Sequence, residues 1–288
     1  MSDLRPRRSV LYMPAANERA LDKAKGIPAD ALIFDLEDAV APDAKPDARR
    51  NAVAAVLSGE YGNKEITIRC NGLDTQWGHE DLAAAAMANV SAVVIPKINS
   101  VKEVEAVSSA LATAGAPGSM KIWAMIETPT AIFDVRQIAA HPRVQTLVMG
   151  TNDLAKELRA TQVRGRAPLT PHLATALLAA REAGKVILDG VFNDVKDLDA
   201  FRDECIQGAH MGFDGKTLIH PSQVEIANEV WAPTADEVDY AQRVIAAFEE
   251  ATAAGRGVIT VDGRMIENLH VDNARRVLAV QAAIESLN

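Results

Sequence analysis

Acidic residues recur at one kind of place in this chain, directly after short runs of apolar, β-branched residues. One run ends in Asp35-Leu36-Glu37-Asp38, another in Ile126-Glu127-Thr128-Pro129, another in Gly150-Thr151-Asn152-Asp153, and a fourth passes through Asp189. Two further runs end in cations, Arg69 before Cys70-Asn71-Gly72 and Lys97 after Pro96. If these ends converge, the carboxylates cannot all stay ionised side by side. Either like charges raise some of their pKa values or a cation is bound among them. Carboxylate oxygens without His or Cys nearby suit a hard cation, and Mg²⁺ takes one or two carboxylates and leaves its other positions to water and substrate. Glu127 and Asp153, on successive runs, are the expected pair. Acids at strand-to-helix junctions also serve as helix caps. Asp43 and Asp194 are read that way, while Asp35, Glu37 and Asp38 fit either role.

Other candidates carry less. His220-Pro221 follows the last run and either borders a substrate or shapes a turn. His79, His141, His172 and His270 are scattered. Arg19 and Lys25 lie six apart in a helix after the first run, where they meet an anionic ligand or form a solvated face. No Gly-x-Ser-x-Gly elbow, phosphate-cradling loop or Gly-x-Gly-x-x-Gly is present, so serine hydrolase, nucleotide triphosphatase and dinucleotide readings lack support.

The elements that must position these residues follow from the runs themselves. Eight of them, at 9–14, 31–38, 66–71, 92–97, 121–127, 146–153, 185–191 and 209–216, are mostly continuous rather than alternating, as strands buried on both faces are. Ala-rich segments with helical spacing lie between them at 45–57, 80–87, 101–114 and 173–183. Pro46 falls in a first turn and Gly184 just past a helix end. Alternation of this kind predicts a parallel α/β fold, and eight units favour a closed (β/α)₈ TIM barrel over an open sheet. In a barrel the C-terminal strand ends share one rim, where active sites form. Residues 231–288 depart from the pattern. Thr234-Ala-Asp-Glu237 is a capping box opening a helix to about Gly255, Asp262-Gly263 marks a hairpin within 258–266, and an amphipathic helix follows from about Val271. The expected division is a barrel over 1–230 and a helix–hairpin–helix extension over 231–288 that forms a lid or a subunit contact.

The 288 residues are 48% hydrophobic but only 4% aromatic, so the core is built from Ala, Val, Leu and Ile. The net charge of −9 and the scarcity of rings disfavour nucleic acid and an anionic membrane as partners. No stretch is long and apolar enough to span a bilayer, and the apolar run after Arg5, Arg7 and Arg8 ends too early for a secretory leader. Two distant cysteines, Cys70 and Cys205, exclude a disulfide framework. The expectation is a soluble cytoplasmic protein.

Several motifs together resemble a known family. Arg8-Ser-Val-Leu-Tyr-Met-Pro14, Asp35-Leu-Glu-Asp-Ala-Val40, Arg69-Cys-Asn, Pro96-Lys97, Ile126-Glu127-Thr-Pro129 and Gly212-Phe-Asp-Gly-Lys-Thr-Leu-Ile-His-Pro221 are similar, in order and over essentially the whole chain, to the citrate lyase β-subunit-like and malyl-CoA lyase family. The resemblance implies a (β/α)₈ barrel, trimeric or hexameric, that binds Mg²⁺ (with Mn²⁺ as the alternative ion) and acts on 3-hydroxyacyl-CoA esters. It implies Glu127 and Asp153 as metal ligands and Arg69 as the clamp on a substrate carboxylate, a task suited to guanidinium. Arg19 and Lys25 would hold the CoA phosphates, and His220-Pro221 would border the CoA channel. Asp35, Glu37 and Lys97 join the substrate-binding set. Where family lyases carry an Asp after Met-Ile as the catalytic acid/base, this chain has Glu267, one methylene longer. The expected reaction is retro-Claisen cleavage of malyl-CoA or a relative to acetyl-CoA and a 2-oxoacid. The rival readings are a malyl-CoA thioesterase, a citrate lyase subunit acting on a carrier-bound acyl group, and a non-catalytic ligand-binding barrel.

Overall fold

In the computed structural model, which describes residues 4–253 and 259–287, eight parallel strands pair in sequence order and the first closes on the last. They are β1 (Ser9–Pro14), β2 (Ala31–Asp35), β3 (Glu65–Arg69), β4 (Ala92–Ile95), β5 (Lys121–Ile126), β6 (Val144–Met149), β7 (Val186–Asp189) and β8 (Gly215–Leu218). The expected TIM barrel is therefore the fold. Among the described residues, nine α-helices connect or follow the strands: α1 (Glu18–Ala24), α2 (Lys45–Ser58), α3 (Gly78–Ala88), α4 (Val101–Thr113), α5 (Pro129–Ala140), α6 (Thr151–Leu158), α7 (Thr170–Glu182), α8 (Leu198–Met211) and α9 (Val224–Val230). Alternate strand residues fill the lumen, among them Val10, Ile33, Val94, Trp123, Met125, Val148 and Leu188, all buried. The lumen is a packed core, so chemistry is confined to its rims.

Two run boundaries differ from the sequence expectation in ways that matter. The run at 146–153 is not one strand: β6 stops at Met149 and α6 begins at Thr151, which puts Asp153 on the first turn of a helix. The run at 209–216 is half helix. Its first residues complete α8, and Gly212, at φ 104°, closes that helix with its N–H on the carbonyls of Gly208 and Ala209. That backbone conformation is costly for any residue with a β-carbon. The strand then starts at Gly215, where an added Cβ would strike the Arg7 backbone.

Residues 7–230 pack as one unit. The described residues of 231–288, together with those preceding Arg7, form a second. It contains α10 (Ala235–Ala253), a two-stranded antiparallel hairpin of β9 (Ile259–Val261) and β10 (Arg264–Ile266), and α11 (Asn268–Glu285). Asp262 and Gly263 both have positive φ, as a type I′ turn requires. Val244, Val261, Ile266 and Val271 make this unit's own core. The expected helix end at Gly255 and hairpin start at Val258 lie outside the described residues.

Candidate active site

The C-terminal rim gathers the acids and cations of β2 to β6. Arg69, at the end of β3, grips Asp35 at the end of β2 with two parallel bonds, Nε to Oδ1 at 2.7 Å and Nη2 to Oδ2 at 2.6 Å. These two residues are register partners across adjacent strands, so the strand pairing itself sets the fork. The third nitrogen, Nη1, lies 2.7 Å from Glu37 Oε2 and 3.8 Å from Asp38. The guanidinium also lies over the Tyr12 ring, 4.8 Å from its centroid. Tyr12 was not among the expected site residues, although it lies in the first run and in the Arg8–Pro14 motif. Burial pushes its phenol well above the usual range, so it stays neutral.

Glu127 follows β5 and is 3% exposed. Its Oε1 accepts the Lys97 backbone N–H at 2.7 Å. Burial, with Glu37 and Asp153 adding like-charge repulsion, pushes its carboxyl up to about 7. Gly150, between β6 and α6, makes room for that side chain, because a Cβ there would collide with the Glu127 carboxylate. Lys97 places its ammonium 3.6 Å from Glu37 Oε1 and 3.6 Å from Asp153 Oδ2. Burial also raises the Glu37 carboxyl, against the pull of Arg69.

Tyr12, Asp35, Arg69, Glu127 and Asp153 line one cavity of about 370 Å³. A larger cavity of about 590 Å³ shares Thr151, Asn152 and Val191 with it but none of these charged residues, so the chemistry belongs to the smaller one. Among the described residues, no group of three or more His, Cys, Asp or Glu side chains is arranged to hold a metal ion. Two carboxylates with an open cavity suit Mg²⁺, whose remaining positions go to water and substrate oxygens. A buried acid at about 7, crowded by other acids, is also one that a cation would relieve. The residues present therefore fit the ion, and Glu127 and Asp153 are the pair that would hold it.

Other expected residues lie elsewhere. Asp189 is fully buried, with Arg166 Nη1 at 2.6 Å and Lys216 Nζ at 2.9 Å, and Lys216 also reaches Glu204 at 2.8 Å. It belongs to a closed ion network rather than to the cavity, and sequence position alone gave no sign of that. Arg19 is exposed on α1. Lys25 caps the same helix and is paired with Asp22 at 2.8 Å and Glu60 at 2.6 Å. Pro221 is exposed at the start of a short 3₁₀ turn held by Gln223, whose Oε1 accepts the backbone N–H of Ile219 and of His220. In the second unit, Glu267 is exposed at the start of α11, where its backbone N–H donates to His270 Nδ1 at 3.0 Å. A buried polar cluster under the rim was also missed. Lys45 donates to the carbonyls of Leu36 and Glu37 and to Asn71 Oδ1, fixing the loop that carries the acids.

Comparison with known proteins adds the following. A family model described as HpcH/HpaI aldolase/citrate lyase matches residues 8–221. A (3S)-malyl-CoA thioesterase of Cereibacter sphaeroides is 50% identical over 279 residues, covering 97% of this chain and 96% of that one. The citrate lyase subunit beta of Escherichia coli is 36% identical over 281 residues, covering 96% and 93%. Among solved structures, CitE from Mycobacterium tuberculosis in complex with magnesium, acetoacetate and coenzyme A aligns with a TM-score of 0.79 at 28% identity, over 97% of this chain and all of that one. Among the described residues no helix is long and apolar enough to cross a membrane.

Proposed function

The chain belongs to the HpcH/HpaI aldolase/citrate lyase family, and from that membership we propose that it is a Mg²⁺-dependent hydrolase of a malyl-type CoA thioester. The observation that carries the choice of bond is the 50% identity, over nearly the whole chain, to relatives named (3S)-malyl-CoA thioesterase. The cavity supports the substrate class. Arg69 takes the free carboxylate of the acyl group, and it can do so without reorganising because Asp35 and the Tyr12 ring already fix its plane. Lys97 adds a second positive group to the same mouth. Glu127 and Asp153 hold the ion, which when bound supplies Lewis-acid polarisation of the oxygens that reach it.

Hydrolysis needs a base for water. Glu267 is assigned that role: its carboxylate accepts a proton as the water oxygen attacks the thioester carbonyl, and the same proton goes to the departing CoA sulfur. Arg19 contributes to holding the CoA phosphates. Lys25 joins it only by exchanging its present pairs with Asp22 and Glu60 for phosphate oxygens. The site as proposed is that of a homotrimer or homohexamer.

The test is incubation with (3S)-malyl-CoA and Mg²⁺ followed by chromatography. Free CoA and malate without glyoxylate are expected, and a chelator stops the reaction. Acetyl-CoA with glyoxylate would transfer the protein to the lyase reading. That second reading draws on the 36% identity to a citrate lyase subunit. Inertness on every free CoA ester, with turnover only of a carrier-bound acyl group, would place it beside that subunit instead.

A further inference from the structure

Among the described residues, Lys97 is the one whose backbone and side chain each engage a different member of the expected ion-binding pair. Its N–H donates to Glu127 Oε1 at 2.7 Å, and its ammonium stands 3.6 Å from Asp153 Oδ2. To do both, the residue adopts φ 50°, in the left-handed region. That conformation is unfavourable for a residue with a β-carbon, so such strain persists only where the surroundings hold it. The side chain is 49% exposed, which leaves its stem free to swing, and Glu37 Oε1 offers a second anchor at the same 3.6 Å.

Resting on the Mg²⁺ site proposed above, we propose that Lys97 is a resident counter-cation. Its ammonium neutralises Asp153 until a divalent ion displaces it toward Glu37, and this competition weakens ion binding. A carboxylate already paired with an ammonium must give up that pair before it ligates another cation. The displaced ammonium remains tethered nearby, so repulsion between the two cations persists after the exchange. The ammonium also attracts Glu127 through space, but only the backbone N–H bonds to it. The two ligands therefore differ in contact: the backbone amide presets Glu127, and the ammonium pairs with Asp153.

The experiment is calorimetric titration of Mg²⁺ into the metal-free full-length protein, without substrate. Lys97→Met and Lys97→Gln, which remove the charge but keep the backbone amide, are expected to tighten Mg²⁺ binding by about five- to tenfold. Lys97→Arg keeps the charge and is expected to stay within about twofold of wild type. Glu127→Gln is expected to lose binding. Equal or weaker binding by both neutral variants, with Glu127→Gln still defective, overturns the counter-cation and leaves the ion site standing. Absence of binding in the wild type and in both neutral variants overturns the site itself, and this inference with it.

Discussion

The two ends of the barrel each hold a buried arginine that forks onto a carboxylate, and they differ in what surrounds the fork. At the N-terminal end, Arg7 binds Glu65 through Nε and Nη2 at 2.7 and 2.9 Å, shares Gln145 with the Trp123 indole N–H, and lies over the Trp123 ring. Beside it, Arg8 closes on Asp30 with its backbone N–H, Nε and Nη2. Each fork sets a guanidinium against a carboxylate. At the C-terminal end Asp35, Glu37, Asp38, Glu127 and Asp153 outnumber Arg69, Lys97 and Lys45. One Glu37 oxygen is buried without a hydrogen bond, although the Arg69 guanidinium lies 2.7 Å from it. Balanced charge makes a staple, whereas surplus charge of one sign makes a site that awaits a cation. The same residue types thus serve stability at one rim and, as proposed above, binding at the other.

Removing one group from each end separates the two roles. Glu127→Gln should lower kcat/KM on malyl-CoA by about 10³-fold or more, since it deletes a ligand whose effect is felt in the transition state. It should nevertheless raise metal-free stability. A carboxyl near 7 in the fold and near 4 when unfolded makes the folded state the stronger proton binder, so stability falls as pH rises between those values. The amide removes that loss, a gain of about 1–3 kcal/mol at pH 8 by urea unfolding. A stability loss instead would erase the distinction between the two rims.

Arg7→Ala, at the balanced rim, should do the reverse. It removes the two-bond partner of a buried carboxylate and should cost about 3–5 kcal/mol of unfolding free energy. Turnover per folded molecule should stay near wild type, as judged by activity normalised to the folded fraction.

Asp189 tests whether the balanced pattern extends to the ion network at β7 and β8. Burial raises its carboxyl, but Lys216 and Arg166 outweigh burial and hold it below the ordinary carboxylate range. Its contribution is therefore complete above the unfolded carboxylate range near pH 4 and is lost as pH falls through the folded value. Asp189→Asn should cost about 2–4 kcal/mol at pH 7. The gap from wild type should narrow below about pH 4 in urea midpoints. Arg8→Lys is the mildest change. It keeps the charge but gives up the fork on Asp30, and should cost about 1 kcal/mol with no change in Mg²⁺ affinity.

Much of the rim was legible in the sequence because strand ends announce themselves. Continuous apolar runs stop where the lumen stops, so Asp35, Arg69, Lys97 and Glu127 could be placed on one rim from their positions after the runs. Asp153 was expected on a strand and stands on a helix, because Gly150 ends β6 early and allows the chain to turn. Partnership was less legible. Asp189 also lies within a run, yet its partners come from a loop and from the second residue of β8, positions that carry no shared sequence signal. Arg69 was expected to face a substrate carboxylate. It does line the cavity, but already bound to Asp35, a pairing that depends on strand register.

By itself the sequence determined the eightfold alternation, and with it the barrel. Burial on both faces forces continuous apolar strands, and helix spacing forces amphipathic cover. It also determined which residue types reach the C-terminal rim, since hydrophobic runs must end where solvent begins. Which charges neutralise one another was set by the folded arrangement. That depends on distances of a few ångströms across neighbouring strands and on how far water is excluded, and Coulomb energy at short range changes severalfold with either. Asp35 became a brace for Arg69 and Asp189 a buried staple, while Asp153, half of the pair proposed for a cation, took the Lys97 ammonium at 3.6 Å.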